Sequence, residues 1–501
     1  MAILGFFSKD QGDHPLADPK EAKEALAGLA AEDALTAVED VCAWLQSLKA
    51  AQTLRLERRA ELALQLDEAS ASHARRLARD YLTSAHSRGK EFRLWQSGSA
   101  YWQAVAAAYE EVLARAAAAN NPLKPFQPLL SARLLHAYGA VLKWSQFRYG
   151  PIDADLWRNA GKVYLDAAKL ALRPLRLYDN WPGETSVERE YLKLLVFSAS
   201  SMNNLLPLEI ELAERLLAHF LPLFSFTAQV LPENVYWVDA QRAQSPSRLL
   251  RQPEAGPGLR YFSTGAALSS IEVLRGRIEQ TREIPSDIPL GGQYPAEVVI
   301  KVLDHLALCC APNPPQRSYD RLRSNSLVAT IHGMGEIRLR LNGEEGTQDG
   351  ETWVAEDISA GGLGAQVSLV NNDWLKVGVL VGMRPEGSEC WQVGVVRRFS
   401  RGGQNIGAVG VETLGRTPRL IQLECVGVRH EGILLESALG VGDEALLLVP
   451  PNAWEDFMPI MISCDGVEAR LAPRGVQLQG GDYLIGRYRV EEIAPPLTPA
   501  A

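Results

Sequence analysis

Cysteine is scarce and scattered in this chain of 501 residues: Cys42, Cys309, Cys310, Cys390, Cys425 and Cys464, with no CxxC pair. That spacing offers neither a disulfide framework nor a zinc knuckle. The eight histidines are equally dispersed, none paired with another at metal-ligand spacing, so neither a metal nor another cofactor is expected. Long apolar runs are missing too: none approaches the ~20 residues that a membrane-spanning helix needs. The opening "MAILGFFSKD" lacks the basic n-region of a secretory signal, and the cytoplasm is the expected compartment. An excess of positive charge is also absent. The net charge of -9 argues against a nucleic-acid coating protein. Lysine all but disappears toward the C-terminus, where Lys376 is the only one from Arg317 onward. Arginine is the working cation of that region.

What is present is an ordinary soluble mixture, 47% hydrophobic and 22% charged, able to bury a large core. At roughly 100–200 residues per domain, the length predicts about three domains. Residues 1–310 read as an all-α scaffold or interaction domain. In "DALTAVEDVCAWLQSL", Leu35, Val38, Val41, Cys42, Leu45 and Leu48 fall on one helical stripe, which makes Cys42 a small core residue. "SAYWQAVAAAYEEVLARAAAA" repeats the pattern, and several more amphipathic stretches follow, broken by Pro and Gly clusters such as "NNPLKPFQP" and "RYGPID". Helices joined this way imply a bundle or a superhelical array. No 34-residue period recurs to name a repeat. "WPGETSVEREY" reads as a helix start, capped by Thr185 or Ser186. Residues 226–260 are irregular and rich in Pro, Gly and Arg, with two further helices beyond them.

After the stiff break "APNPPQ" (Ala311 to Gln316) the apolar period becomes two. "LVATIHG", "EIRLRLNG", "TWVAEDIS", "GAQVSLV", "VGVLVGM", "CWQVGVVRRFS" and "AVGVETL" read as short strands separated by turns. Residues 311–417 are therefore expected to form a small antiparallel barrel. Residues 418–495 form a further β-rich stretch, either a second barrel or sandwich or added strands on the first. The fold class is multidomain α + β.

Two motifs carry chemistry. "QRSYDRLRSN" sets Arg317 and Arg321 four apart, with Arg323 close behind. Arginine pairs bidentately with phosphate and with the O6/N7 edge of guanine, and it stacks on purine faces. Read alone, such arginines are more often surface cations paired to nearby acids. In "EDISAGG", an extended chain would place Asp357 and Ser359 on one face and Val354 and Ile358 on the other. The apolar pair would enter the barrel core. Asp can accept from guanine N1–H and N2–H, and Ser can serve phosphate or ribose. Gly361 and Gly362 would allow a sharp turn and a close ligand approach. Read alone, this stretch is a strand-end turn.

Taken together, RxxxR, a run of strands, D-x-S-x-x-G and then "WQVGVVRRFSRGGQNIGAVGVETL" resemble the PilZ domain, a family that binds the bacterial second messenger cyclic di-GMP. The resemblance spans about Arg317 to Gly415. It implies a PilZ-like barrel whose ligand residues are Arg317, Arg321, Asp357, Ser359 and Gly362. The arginines would grip phosphates and guanine edges, and Asp357 and Ser359 would hold a base or sugar. Arg323, Arg397, Arg398 and Arg401 add positive charge nearby. Arg317 to Thr417 contains eleven basic and twelve acidic residues, a net of -1, so affinity must come from local placement. No catalytic constellation appears: "GMGE" lacks the lysine and the strand–helix setting of a P-loop. The expectation is a cyclic di-GMP receptor, not an enzyme, whose helical domain passes the signal to a protein partner. The rival reading is an adaptor with a PilZ-like barrel that does not bind nucleotide.

Overall fold

The computed structural model describes residues 13–84, 88–167, 169–181, 183–314, 319–370, 372–435 and 439–494. The apolar stripes fold as helices α1 (Pro19–Leu29), α2 (Ala34–Ala50), α3 (Leu56–Thr83), α4 (Arg88–Ala118), α5 (Gln127–Gln146), α6 (Asp155–Asp166), α7 (Val187–Ala199) and α8 (Pro207–Phe220). Side-chain caps fix several starts. Asp33 accepts from the N–H groups of Leu35 and Thr36 at 3.0 and 3.1 Å, and Ser186 accepts from Arg189 N–H at 3.2 Å. These bonds satisfy donors that the helix itself leaves open. Thr185 instead donates to Glu190, at 2.7 Å. Val38, Val41, Cys42, Leu45 and Leu48 are buried on α2, as the stripe requires.

Polar groups lock the helical core. Asp67 is fully buried on α3 and accepts from Tyr109, Arg133 and Tyr178 at 2.7, 2.9 and 2.9 Å. The Arg133 guanidinium lies 3.6 Å from the centre of the Tyr178 ring. A second network joins Lys143 to Glu211 and Glu214, and Lys193 to Glu214. Burial opposes the charge on Glu214, yet Lys143 and Lys193 outweigh it and hold the carboxyl well below its usual range.

The segment that reads as irregular contains a four-stranded sheet, β1 (Ser225–Thr227), β2 (Tyr236–Asp239), β3 (Ser247–Arg248) and β4 (Leu259–Ser263), in the order β1-β4-β2-β3. Strands of two to five residues are too short for alternation to show in the sequence. Helices α9 (Ala267–Thr281) and α10 (Ala296–Cys310) follow.

The next elements are β5 (Leu322–Arg323), β6 (Leu327–His332), α11 (Met334–Leu341), β7 (Glu351–Ser359), β8 (Gly362–Ser368), β9 (Leu380–Pro385), β10 (Gln392–Arg401) and β11 (Ile406–Gly415). Six of these strands close an antiparallel barrel in the ring β7-β6-β9-β10-β11-β8, and β5 adds to β7. Then come β12 (Arg419–Cys425), β13 (Val428–Leu434), β14 (Glu444–Val449), β15 (Ile460–Cys464), β16 (Val467–Gln479) and β17 (Leu484–Ala494). They close a second barrel in the ring β12-β13-β14-β17-β16-β15. The C-terminal stretch is thus a barrel of its own.

"EIRLRL" is a helix and not the strand its alternation suggests. Gly333, at φ 85°, ends β6. Met334, Ile337 and Leu341 then fall on one helical face, and the first two are buried. Asp482 of the second barrel accepts the Met334 N–H at 2.7 Å, which favours a helix start there. A short apolar run fits either period, and its packing decides.

The chain divides into two compact units. One holds α1–α10 and the four-stranded sheet; the other holds both barrels together with Tyr149–Pro151 and Asn203–Leu206. Within the second unit the barrels share a core. Ile331, Leu380, Val393 and Val395 on the outside of the first meet Ile433, Leu448 and Ile485 of the second. Tyr483 donates across this contact to the carbonyl of Gly378 at 2.8 Å.

Two stability tests follow. Arg133→Ala strands the buried Asp67 carboxylate and should cost about 3–5 kcal/mol in urea unfolding; a loss under 1 kcal/mol would contradict this account. Glu214 has its pKa depressed on folding, so its contribution is present above the ordinary carboxylate value of about 4.3 and is lost as pH falls through the folded value. Glu214→Gln should therefore flatten the acid limb of a stability–pH curve.

Candidate functional site

The site begins with a change of parity in β7. Trp353 and Ala355 point into the first barrel. Continued alternation would send Asp357 and Ser359 inward as well. Instead a β-bulge falls between Ala355 and Asp357. The extra residue, Glu356, resets the alternation, so Ile358 packs against the core while Asp357 and Ser359 face outward. The expected outward placement of Asp357 and Ser359 and inward placement of Ile358 hold. Val354 does not enter the core; Trp353 and Ala355 do.

Strand β10 repeats the device. Val396 and Phe399 are core residues separated by two positions rather than one, and the register shifts between Val396 and Arg398. Arg397 and Arg398 consequently emerge side by side on the outer face. The pairing register then aligns Arg323, Asp357, Gly364, Gly410 and Arg398 across five neighbouring strands. Of the two glycines in that row, Gly364 lies under the Asp357 carboxylate, and Gly410 leaves a flat floor beside Arg398.

A groove of about 580 Å³ lies over this surface, within the usual range for small-molecule sites, about 300–1,000 Å³. Arg321, Ser359, Gly362, Arg397 and Arg398 line it, with Gly410 in the floor. Arg321 and Arg398, seventy-seven positions apart, are thus brought together. Arg323 is exposed opposite Asp357 and does not line the groove. Arg317 lies outside the described residues.

The cations differ in their commitments. Arg321 donates to Asp357 Oδ1 at 2.6 Å, with both side chains about one-third exposed. Arg397 donates to Glu412 Oε2, also at 2.6 Å. Among the described residues Arg398 has no carboxylate within ion-pair distance. Ser359 donates its hydroxyl to the carbonyl of Gly362 at 3.1 Å, closing the β7–β8 turn. The arrangement can meet an anion with one uncommitted guanidinium and two exchangeable ones, and it can seat a flat group on the glycine floor.

Two lining residues were not legible as site residues. Tyr319 is half exposed, and its ring lies where a side chain on Gly361 would sit. It offers an aromatic face at the groove edge. Its only sequence signal was its position inside the RxxxR segment. Asn204 comes from the connection between α7 and α8, more than a hundred residues upstream, and carried no signal at all.

The helical unit has a cavity of about 510 Å³, lined in part by Arg75, Trp102, His136, Lys143 and Trp181. Most of its charges serve one another: Lys143 and Lys193 hold Glu211 and Glu214, and His136 sits 3.5 Å from Glu190. The groove on the barrel is better furnished for an external anion. No helix among the described residues is long and apolar enough to cross a membrane.

Residues 20–232 match the family described as "Cyclic-di-GMP receptor FimW, N-terminal domain". No curated protein and no solved structure matches the chain.

Gly362 shapes the site through the backbone. It sits at φ 155°, and a Cβ there would lie 2.0 Å from the carbonyl oxygen of Val411. Gly362→Ala should therefore destabilise the barrel unit by roughly 1–3 kcal/mol, read as a lowered midpoint in thermal unfolding without ligand. An unchanged midpoint would make Gly362 a contact residue only.

Proposed function

We propose that this protein is a cyclic di-GMP receptor that binds the nucleotide in the groove of its first barrel and engages a protein partner through its helical unit. The observation that carries the proposal is the convergence of Arg321, Ser359, Gly362, Arg397 and Arg398 on one groove. The ligand suits the surface in each of its parts. Its phosphates match guanidinium forks, its guanine O6/N7 edges match the same forks, and its flat bases match a glycine floor beside Tyr319.

A second line of support is independent of the first. The matched family is a cyclic di-GMP receptor family, and the match covers residues 20–232, none of which belongs to the RxxxR or D-x-S-x-x-G segments. The PilZ-like motifs lie beyond it, from Arg317 to Gly362. Two separate stretches thus point to the same second messenger, and Arg317 would join the site as the first arginine of its motif. The roles follow from the commitments described. Arg398 takes phosphate first, because among the described residues it has no carboxylate to surrender. Arg321 and Arg397 exchange Asp357 and Glu412 for ligand oxygens, and the released Asp357 accepts from a guanine edge.

One observation favours the rival adaptor reading. Arg321 and Arg397 are both neutralised within the protein, as they would be in a barrel that binds nothing.

Calorimetric titration of the full chain with cyclic di-GMP separates the two readings. Saturable binding is expected, and Arg321→Ala or Asp357→Ala should weaken it about ten- to hundredfold, corresponding to about 1.5–3 kcal/mol. Arg398→Ala should cost at least as much. Gly410→Val should fill the floor and block binding while the fold persists, since a Cβ there meets nothing closer than 3.4 Å. Wild-type protein that shows neither heat nor a thermal shift with cyclic di-GMP would sink the receptor reading.

A further inference from the structure

We infer that Asn204 is a specificity residue of the groove, reading the hydrogen-bond donors of guanine and so distinguishing it from adenine. The inference rests on the receptor reading above and goes beyond it, because Asn204 belongs to neither arginine nor aspartate motif.

Asn204 closes the short helical turn Met202–Asn204, which begins at Ser201 in a left-handed conformation, φ 48°. The segment Asn203–Leu206 belongs to the barrel unit. Leu206 packs against the core of the first barrel, and Leu205 is buried beside it. The backbone carrying Asn204 is thus held in place by apolar neighbours, and the side chain lines the groove. Its Oδ1 is buried and, among the described residues, accepts no hydrogen bond. A buried acceptor without a donor opposes folding. Its persistence at a groove wall is explained if a ligand supplies the donor.

The side-chain oxygens of Asp357, Ser359 and Glu412, in and beside the groove, each have a protein partner in the free state. Asp357 Oδ1 and Glu412 Oε2 each receive an arginine. Ser359 spends its proton on Gly362. Asn204 Oδ1 differs from them: among the described residues it is buried at the groove wall with no donor facing it. Guanine presents N1–H and N2–H on its Watson–Crick edge, where adenine presents an unprotonated N1. An acceptor at this place favours guanine and leaves adenine poorly matched. Discrimination of this kind is strongest where a site is built to bond an N–H that the competitor lacks.

The test measures affinities of the full chain for cyclic di-GMP and for its adenine counterpart, cyclic di-AMP, by calorimetry. Wild type should prefer the guanine ligand. Asn204→Ala should weaken cyclic di-GMP about tenfold and leave cyclic di-AMP unchanged, so that the preference shrinks. Asn204→Asp retains the acceptor and should keep the preference. A stability readout accompanies it: because Oδ1 makes no bond in the free protein, Asn204→Ala should leave the ligand-free melting temperature unchanged or raise it. Equal weakening of both ligands, no change in either, or a lowered melting temperature in the free protein would overturn the assignment. Absence of wild-type binding to cyclic di-GMP would be a different failure, that of the receptor reading itself.

Discussion

The candidate site depends on two β-bulges in one barrel. A barrel strand alternates strictly between core and surface, so a single inserted residue reverses everything that follows it. In β7 the insertion at Glu356 turns Asp357 and Ser359 from the core face to the outer face. In β10 the insertion places Arg397 and Arg398 together on the outside rather than one in and one out. Neither change costs the core much, because Ile358 and Phe399 resume filling it immediately. Without the first bulge Asp357 would be a buried carboxylate, a placement that is destabilising unless the charge is paired. The position of the bulges decides which residues can meet a ligand.

Two of the three arginines that line the free groove are neutralised within the protein. Arg321–Asp357 and Arg397–Glu412 are partly exposed pairs, and pairs of that kind contribute about 0–1 kcal/mol. Exchanging such a carboxylate for a phosphate therefore requires little work, and each exchange releases an acceptor within reach of the ligand. The near-neutral balance from Arg317 to Thr417 removes any long-range field that would steer anions in general toward the barrel. Recognition must come from contacts at close quarters, which favours a ligand with several matched groups over a simple anion.

Much of this candidate groove and its surroundings was readable in the sequence because its motifs are local. Arg321, Asp357, Ser359, Gly362, Arg397 and Arg398 all lie in segments whose residue types announce their chemistry. The helical stripes were readable for the same reason, as Val38 through Leu48 show. Three things resisted. The first was parity: an unbroken alternation predicts Val354 inside, and only the bulge explains why Trp353 and Ala355 are there instead. The second was α11, where "EIRLRL" satisfies a period of two and the helix depends on Asp482 from the second barrel. The third was Asn204, whose place follows from tertiary packing of Leu205 and Leu206 and from no pattern in its own neighbourhood.

The second barrel gives β10 its division of labour. Val393 and Val395 face outward from the first barrel, on the same surface that Arg397 and Arg398 occupy beyond the bulge. Exposed, those valines would extend an apolar patch directly into the groove. They are instead buried together with Leu380 and Ile331 against Ile433, Leu448 and Ile485. Asp482 and Tyr483 pin the contact by hydrogen bonds to Met334 and Gly378. One end of the strand is therefore fixed in a shared core while the other carries uncovered charge. An arginine pair anchored this way loses less freedom when it closes on a ligand, since the backbone beneath it is already ordered. The C-terminal barrel thus supports the candidate groove although none of its described residues lines it.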